Sequence, residues 1–579
     1  MNKLVYIYVE NFSRFEPIFL NLSNDFHCQI IEKSLFVHER RNFFKDLLGE
    51  SVVDINVIAG ENGVGKTQLL KMLAELACGA TTLNYISGYD YVLVYQTAEQ
   101  ELVINTNIDI TYYPEPLPGF SLRENENITS PVVYYSPFLD FNPLDIRPRE
   151  KRKPIIDISL SHYIMQDTQQ TQKKMDIIPT ILTLKANSIL RQIDFIAQKP
   201  VDVEIPFALP NGIYVRFNRL AVERDDISID DKELFDKLNA YSARFFRESE
   251  DIGISQSTMA KLMFYRNLLS LFFLSVNNQK SQSILHHRFG DVLTSEIDAY
   301  EGEDPYALIE LFQRFFQSDD VFMNGIFQRL ATLAFAFIDS EGTTIDFGSA
   351  NNHLTISVQA GDQRLVRLLK EMFEPEDNQS NIYITKELVH FISFDWRNFS
   401  SGEKSFLDLF ARLFDAKKQL KNPSDTVLLL LDEAEIGFHP EWQKRFVSSL
   451  VIFLNAVFTG YSLQVIIATH SPLVLSDFPS ERVHLFKREG ELVVRGMSFG
   501  TFAQNIPELL ARDFFIDTTL IGNFSKLYID NILEAIHTMD GSIPDTSLQD
   551  IVGRIGKIDE PVIKELLIDS LSQKIDVGN

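Results

Sequence analysis

Cysteine is almost missing: Cys28 and Cys78 are the only two in 579 residues. Two thiols cannot build a disulfide framework or a zinc site of their own, so a reducing cytosol is the expected setting. Long apolar runs are missing too. The greasiest stretch, Leu268–Val276, falls far short of the roughly 20 residues that a membrane-spanning helix needs. The opening "MNKLVYIYVENF" meets Glu10 too soon to be a signal peptide. A cytoplasmic protein without membrane contact is therefore expected. Positive charge is scarce: 54 Lys and Arg stand against 80 Asp and Glu, a net charge of −26. A protein that binds nucleic acid over its whole surface is usually basic, so any such contact here has to be local or supplied by a partner. There are no internal repeats or low-complexity tracts. No heptad persists for three or four repeats, which excludes a long coiled coil.

What is present is a chain that is 45% hydrophobic, long enough for about three or four modules of roughly 150 residues. "LVYIYVENF" near the start reads as a strand, and "VVDINVIAG" (52–60) as a central one. A helix follows from Thr67, with Leu69, Leu70, Leu73 and Leu76 on one side. "YVLVYQ" and "ELVINTNIDITYY" read as an exposed hairpin or meander, and "SPVVYYSPFLD" (130–140) as a return to a buried strand. Over 151–384 helical periodicity dominates, as in "IPTILTLKANSILRQIDFIAQ", with one strand-like interlude, "VEIPFALPNGIYVRF". From 385 to 500 the α/β pattern resumes, and "DTVLLLLDE" and "SLQVIIATH" are apolar throughout, as buried parallel strands are. Residues 501–579 read as helical.

Four short motifs carry chemistry. "GENGVGKT" (60–67) fits G-x-x-x-x-G-K-[ST] in full, between an apolar strand and a helix. Gly60, Gly63 and Gly65 let backbone N–H groups curl around phosphate oxygens. The helix start adds partial positive charge. Lys66 reaches the β and γ phosphates of ATP, and Thr67 offers its hydroxyl to Mg²⁺. Asn62 and Gln68 complete the expected ATP-binding set. A glycine-rich turn with a chance lysine is the competing explanation, and the flanking strand and helix count against it. Asp432 and Glu433 end an apolar strand: Asp432 is expected in the Mg²⁺ shell, Glu433 beside the attacking water. A lone histidine is more often structural, but His470 ends another strand, where open α/β sheets place their ligands, and a contact to the γ-phosphate is expected of it. "FSSGE" (399–403) puts Ser400 three residues before Glu403, a capping box at a helix start.

The order phosphate loop, FSSGE, Asp-Glu, His resembles that of the ABC-type ATPases, specifically the SMC, RecF and OLD class. "DEAEIGFHPEWQ" is similar to that class too. FSSGE matches its signature motif, with Phe399 for the usual Leu and Ser401 for a Gly. The resemblance implies an α/β phosphate-loop head, with halves at 1–150 and 385–500. A large, mainly helical insertion at 151–384 splits the head, and a helical appendix follows at 501–579. It further implies a homodimer or higher oligomer in which Ser400, Ser401, Gly402 and Glu403 face the γ-phosphate of ATP held by a second copy. "EIGFHP" (435–440) matches the region that crosses such an interface. After "VVYYS" the class has a glutamine on the metal and water. Here Ser136 or Asp140 has to substitute, or the contact is missing and turnover is slow.

The insertion is too short and aperiodic for an SMC arm. Beyond His470 there is no Asp-x-Asp and no His-Asn-His cluster, so no built-in nuclease of the OLD kind is expected. "SFGTFAQNIPELLARDFFIDTTLIGNFSKLYIDNIL" (498–533) looks like the C-terminal region of the PtuA family, the ATPases of Septu anti-phage systems, including retron-coupled forms. That resemblance implies a regulatory ATPase acting on a separate HNH nuclease, PtuB, and in the retron forms on a reverse transcriptase and its RNA–DNA product. Leu520, Phe524, Leu527 and Ile532 are expected to pack this tail against the ATPase. The alternative is a RecF-like DNA-repair ATPase that binds DNA directly, which the acidic balance disfavours. "RPREKRKP" is the densest basic run, and Arg147, Arg149, Lys151, Arg152 and Lys153 are candidates for phosphate contacts, against a plain solvated loop.

Overall fold

Val52–Gly60 (β1) is apolar along most of its length because it runs inside a sheet covered on both faces. The computed structural model describes residues 2–578 apart from 41–44, 80–89, 113–121, 145–152, 170–177, 219–231, 279–294, 318–337, 360–391, 513–521, 539–544 and scattered shorter gaps. The sheet also contains Val132–Tyr135 (β2), Ile155–Asp157 (β3), Thr426–Asp432 (β4), Ser462–Ala468 (β5), Val483–Glu489 (β6) and Leu492–Arg495 (β7). Its order is β3-β2-β4-β5-β1-β6-β7, parallel except for the edge strand β7. Strands from both ends of the chain alternate in it, with β5 pairing both β4 and β1. This is the mixed α/β fold with a parallel sheet that the strand pattern implied, with the carboxyl ends of β1, β4 and β5 side by side.

The helix Lys66–Ala77 (α1) leaves β1 and buries Leu69, Leu70, Leu73 and Leu76, the leucine face seen in the sequence. It shares its core with one face of a second sheet, ordered Ile18–Asn21, Lys3–Glu10, Asp90–Gln96, Leu102–Thr106, Leu122–Glu124. Asp90–Gln96 pairs antiparallel with Leu102–Thr106, as the expected hairpin or meander would, but it is buried rather than exposed. Tyr91, Leu93 and Tyr95 enter the core with α1, while Val92 and Val94 enter a separate one with Phe26, Cys28 and Leu35. A strand sandwiched between two cores is apolar on both faces, and the period-two signal of an exposed strand is lost. Polar side chains inside the central sheet are spent on this junction. Gln464 accepts from Leu4 N at 2.7 Å and donates to Leu4 O at 2.8 Å. Asp54 meets Lys3 Nζ at 2.7 Å.

The insertion contributes Ile178–Gln198 (α2) and three strands of a four-stranded antiparallel sheet ordered Thr344–Gly348, His353–Gln359, Gly212–Asn218, Ile392–Trp396, the last strand lying just beyond it. Ile392–Trp396 leads straight into Ser401–Gln419 (α3), which packs along α2. Trp396 Nε1 donates to Gln192 Oε1 of α2 at 2.6 Å, and Ser188 Oγ to Asp408 Oδ1 of α3 at 2.7 Å. No helix among the described residues is long and apolar enough to cross a membrane.

Contacts divide the chain into Met1–Phe502 and Ala503–Asn579. The second unit holds Asn523–His537 (α5), Asp545–Ile555 (α6) and Pro561–Gly578 (α7) around Ile532, Ile536, Ile551, Ile555, Leu567 and Leu571. Ile532 is buried in this bundle. Phe524 and Leu527, expected to pack against the ATPase, are not part of this core. The face of α5 turned to the core carries Ile532 and Ile536, and one helix side buries only a third to a half of its residues. Leu520 lies outside the described residues.

In the first unit, Arg412 fastens α3. Its guanidinium lies 2.6 Å from Asp408, donates to Ile158 O at 3.1 Å and rests over the Tyr163 ring. It is 5% exposed. Removing one partner of a buried pair strands the other, so Arg412→Ala should lose about 3–5 kcal/mol. Denaturant unfolding measures this, and a loss below about 1 kcal/mol would class the pair with exposed ones.

Candidate nucleotide site

The phosphate loop bends at glycines that no other residue could replace freely. Gly60 has φ 149°, and a Cβ there would stand 2.0 Å from Phe486 O. Gly65, at φ 92°, is the N-cap of α1 and offers no side-chain cap. The first N–H groups of α1 are thus left to an anion. Lys66 is 6% exposed. Its Nζ donates to Gly60 O at 3.2 Å and Glu61 O at 3.1 Å, and lies 3.5 Å from His470 Nδ1. Burial lowers its pKa to about 8, against the pull of Glu433 and Asp432. Arg488, on β6, also reaches this loop: Nη2 donates to Gly63 O at 2.9 Å. Nothing in its sequence context marks it, because the pairing of β6 with β1 brings it there.

Asp432 ends β4 beside α1. Its Oδ2 accepts from Thr67 Oγ1 at 2.8 Å, Ser136 Oγ at 3.4 Å and Tyr134 OH at 3.5 Å. Its Oδ1 is buried with no hydrogen-bond partner. Burial raises the Asp432 pKa, opposed first by the Thr67 hydrogen bond. A buried carboxylate oxygen without a partner, next to two small hydroxyls, is a donor set that suits a small hard cation. Of the two substitutes considered for the missing glutamine, Ser136 stands at this carboxylate. Asp140 is turned away, paired with Lys71 of α1 and accepting from Asn142 N at 2.9 Å.

Glu433 is strained. Its φ is 47°, a left-handed conformation that costs a glutamate on the order of 1–3 kcal/mol and is held only where surroundings enforce it. Its N–H donates to Ala468 O at 2.9 Å, and its Oε1 lies 3.4 Å from His470 Nε2. Burial, then Asp432, raises the Glu433 pKa. Burial, then Lys66, lowers that of His470 to about 4, so the imidazole is neutral at neutral pH. With the Lys66 ammonium at Nδ1, the neighbours assign the proton to Nε2, facing the Glu433 carboxylate.

Ser400 caps α3. Glu403 N donates to Ser400 Oγ at 3.3 Å and Ser400 N to Glu403 Oε2 at 2.7 Å, both halves of a capping box. Ser400 and Ser401 are exposed, Gly402 and Glu403 half-buried. A Cβ on Gly402 would stand 3.0 Å from Gly437 O, so the glycine is needed where the Glu433–His439 loop passes. Among the described residues, no hydrogen bond or ion pair joins Ser400–Glu403 to Lys66, Asp432, Glu433 or His470 of the same chain. The rest of the ATP set stays on the loop: Asn62 is exposed, and Gln68 Oε1 lies 3.4 Å from the Cβ position of Gly65. Lys153 is ion-paired with Asp425 at 2.9 Å. Arg147, Arg149, Lys151 and Arg152 lie outside the described residues.

Comparison with known proteins gives a consistent class. Residues 314–476 match the family model described as "AAA domain, putative AbiEii toxin, Type IV TA system". The chain is similar to "Retron Vc95 probable ATPase" of Vibrio cholerae serotype O1 biovar El Tor, 34% identical over 15% of this chain and 17% of that protein. It is similar to "Retron Ec83 probable ATPase" of Escherichia coli, 31% identical over 20% and 21%. A longer match, 25% identical over 37% and 39%, is to "Protein ea59" of Escherichia phage lambda. These matches span about a sixth to two-fifths of the curated relatives' lengths. The chain therefore carries an AAA-type ATPase domain on a phosphate-loop α/β fold. More particularly, it shares homology with retron-associated probable ATPases over part of its length.

Glu433→Gln should leave ATP affinity within a few-fold and lower hydrolysis by at least about 100-fold, the usual loss of a general base. Lys66→Ala should instead abolish measurable nucleotide binding. Phosphate release and nucleotide titration separate the two, and wild-type turnover in Glu433→Gln would remove Glu433 from the chemistry.

Proposed function

We propose that this chain is the ATP-binding and hydrolysing regulatory subunit of an anti-phage defence complex of the PtuA kind. Its output is carried by a separate HNH nuclease, in a complex that includes a reverse transcriptase and its RNA–DNA product. The observation that supports this most is the division of the site. Lys66, Thr67, Asp432, Glu433 and His470 converge at the carboxyl ends of β1, β4 and β5. Among the described residues, the capped start of α3 makes no hydrogen bond or ion pair with them, and its exposed Ser400 and Ser401 offer a surface for ATP held by a second copy.

In this reading the backbone of Gly60–Thr67 and the α1 N-terminus bind the phosphates of ATP, and Lys66 leaves its loop carbonyls for the β and γ oxygens. Thr67, Asp432 and Ser136 are the residues that would hold Mg²⁺, with Asp432 Oδ1 as the open donor. A bound Mg²⁺ supplies charge neutralisation to the phosphate oxygens. Glu433 accepts a proton from the attacking water, and neutral His470 donates Nε2–H to the Glu433 carboxylate and holds it in line. Positioning and electrostatics account for most of phosphoryl-transfer catalysis, which is why the strained Glu433 backbone is kept.

The net charge of −26 and the Lys153–Asp425 pair favour control through a protein partner over direct, RecF-like DNA binding. The retron naming of two relatives supports the defence setting.

Mixed-subunit complementation tests the trans arrangement. Ser400→Arg and Lys66→Ala each spoil both pockets of their own homodimer. A mixed dimer puts both lesions in one pocket and leaves the other whole. Partial recovery of ATPase activity on mixing is expected, and no recovery at any ratio counts against the shared pocket. The purified chain alone should hydrolyse ATP and cut neither DNA nor RNA. A nuclease activity abolished by mutating one of its own acids would overturn the division of labour.

A further inference from the structure

The loop after Asp432 and the loop that carries His470 are tied together at a point behind the site. Thr469 Oγ1 donates to Glu435 Oε1 and accepts from Ser471 N at 2.8 Å. Thr469 N donates to Ile58 O of β1 at 3.0 Å. Glu435 is 4% exposed and Thr469 0%. His470 is the one residue between Thr469 and Ser471, so the turn around the Thr469 hydroxyl sets where its ring points. The far side of that turn is held as well, because Ser471 Oγ donates to Gln443 Oε1 at 2.8 Å, on the helix Pro440–Val457 (α4).

Glu435 has a matching place on its own loop. Glu433 N is bound to Ala468 O, Ile436 N donates to Glu433 O at 3.1 Å, and Phe438 N donates to Glu435 O at 3.1 Å. Two residues on, Gly437 O lies against the start of α3. A carboxyl group is an expensive filler for such a spot. Its Oε2 is buried with no partner, and an apolar side chain of similar volume would avoid that desolvation. What a leucine cannot do is accept a hydrogen bond from the Thr469 hydroxyl.

We infer that Glu435, through Thr469, is the positioning residue that fixes the His470 imidazole against Glu433. The inference rests on the reading of Glu433 and His470 as the hydrolytic pair. Glu435 itself touches neither water nor phosphate. Its bond links the loop that passes α3 to the turn that aims the imidazole, so loss of the bond releases the ring and leaves the phosphate loop intact.

The test uses the full-length chain, with ATP affinity and steady-state hydrolysis measured side by side. Thr469→Val keeps the shape of the side chain and removes the hydroxyl. It should lower kcat by about 10- to 100-fold, the scale of a roughly 1 Å misplacement, with ATP affinity unchanged. Thr469→Ser restores the hydroxyl and should recover most of the rate, which a purely steric role would not produce. Glu435→Leu should match Thr469→Val, and the double variant should be no worse than the poorer single one, since the two act as a unit. A folded Thr469→Val with wild-type kcat overturns the inference, as does a Thr469→Ser no better than Thr469→Val, or a fall in affinity that parallels the fall in kcat. Should Glu435→Leu fail to fold, the two Thr469 variants decide. A wild-type chain that hydrolyses ATP while Glu433→Gln does so equally well sinks the underlying reading of the pair instead.

Discussion

Everything at the site depends on one parallel pairing, that of β1 with β5. The phosphate loop follows β1 and the His470 turn follows β5, and the covalent path between them runs through the whole insertion. Backbone hydrogen bonds from Gln464 to Ala468 against Asp54 to Ile58 hold the two in register, and β4 is laid along β5 from Thr426 to Asp432. A slip of one residue would turn every side chain to the opposite face. Lys66 would then lose His470, and Thr67 would lose Asp432. The register is protected because β1, β4 and β5 are buried on both sides, and because Gln464 meets Leu4 and Asp54 meets Lys3 and Asn24 in this alignment.

On that frame the protein stores unfavourable features at one end of the sheet. Glu433 sits in a left-handed conformation, Lys66 is nearly buried beside a neutral histidine, and Asp432 and Glu435 each keep an unpartnered carboxyl oxygen. Each is costly by itself. The rest of the first unit supplies the opposing stability through two apolar cores. Clustering of perturbed groups in this way is the mark of a site whose polar atoms are arranged for a ligand rather than for one another.

The insertion is tied to α3 more closely than a spacer would require. Ile392–Trp396, just beyond the insertion, pairs into its antiparallel sheet and ends just before the cap at Ser400. Lys404 of α3 and Lys185 of α2 both pair with Asp395 on that strand. The ring of Phe207 meets Phe399, Phe406 and Trp442, joining insertion, signature segment and α4 in one aromatic cluster. The insertion thus touches the segment at the start of α3, and Gly402 there lies against Gly437 of the loop that carries Glu433 and Glu435.

Sequence alone determined the parts of this protein that depend on local chemistry. A glycine pattern between strand and helix specifies an anion-binding loop, because only glycine adopts those backbone angles and leaves N–H groups bare. Ser400 and Glu403 specify a cap by their spacing. Five apolar residues before Asp432 specify a buried strand, and the leucines of α1 its buried face. Tertiary structure decided what spacing cannot express. Asp90–Gln96 is buried on both faces because two cores meet there, and Phe524 and Leu527 stay out of the tail's own core because α5 turns Ile532 and Ile536 inward. Ser136 rather than Asp140 lies at Asp432, and Asp140 is paired with Lys71, one turn along α1. The left-handed Glu433 and the Glu435–Thr469 bond arise only when β4 and β5 lie side by side, since each joins residues whose meeting no local pattern encodes.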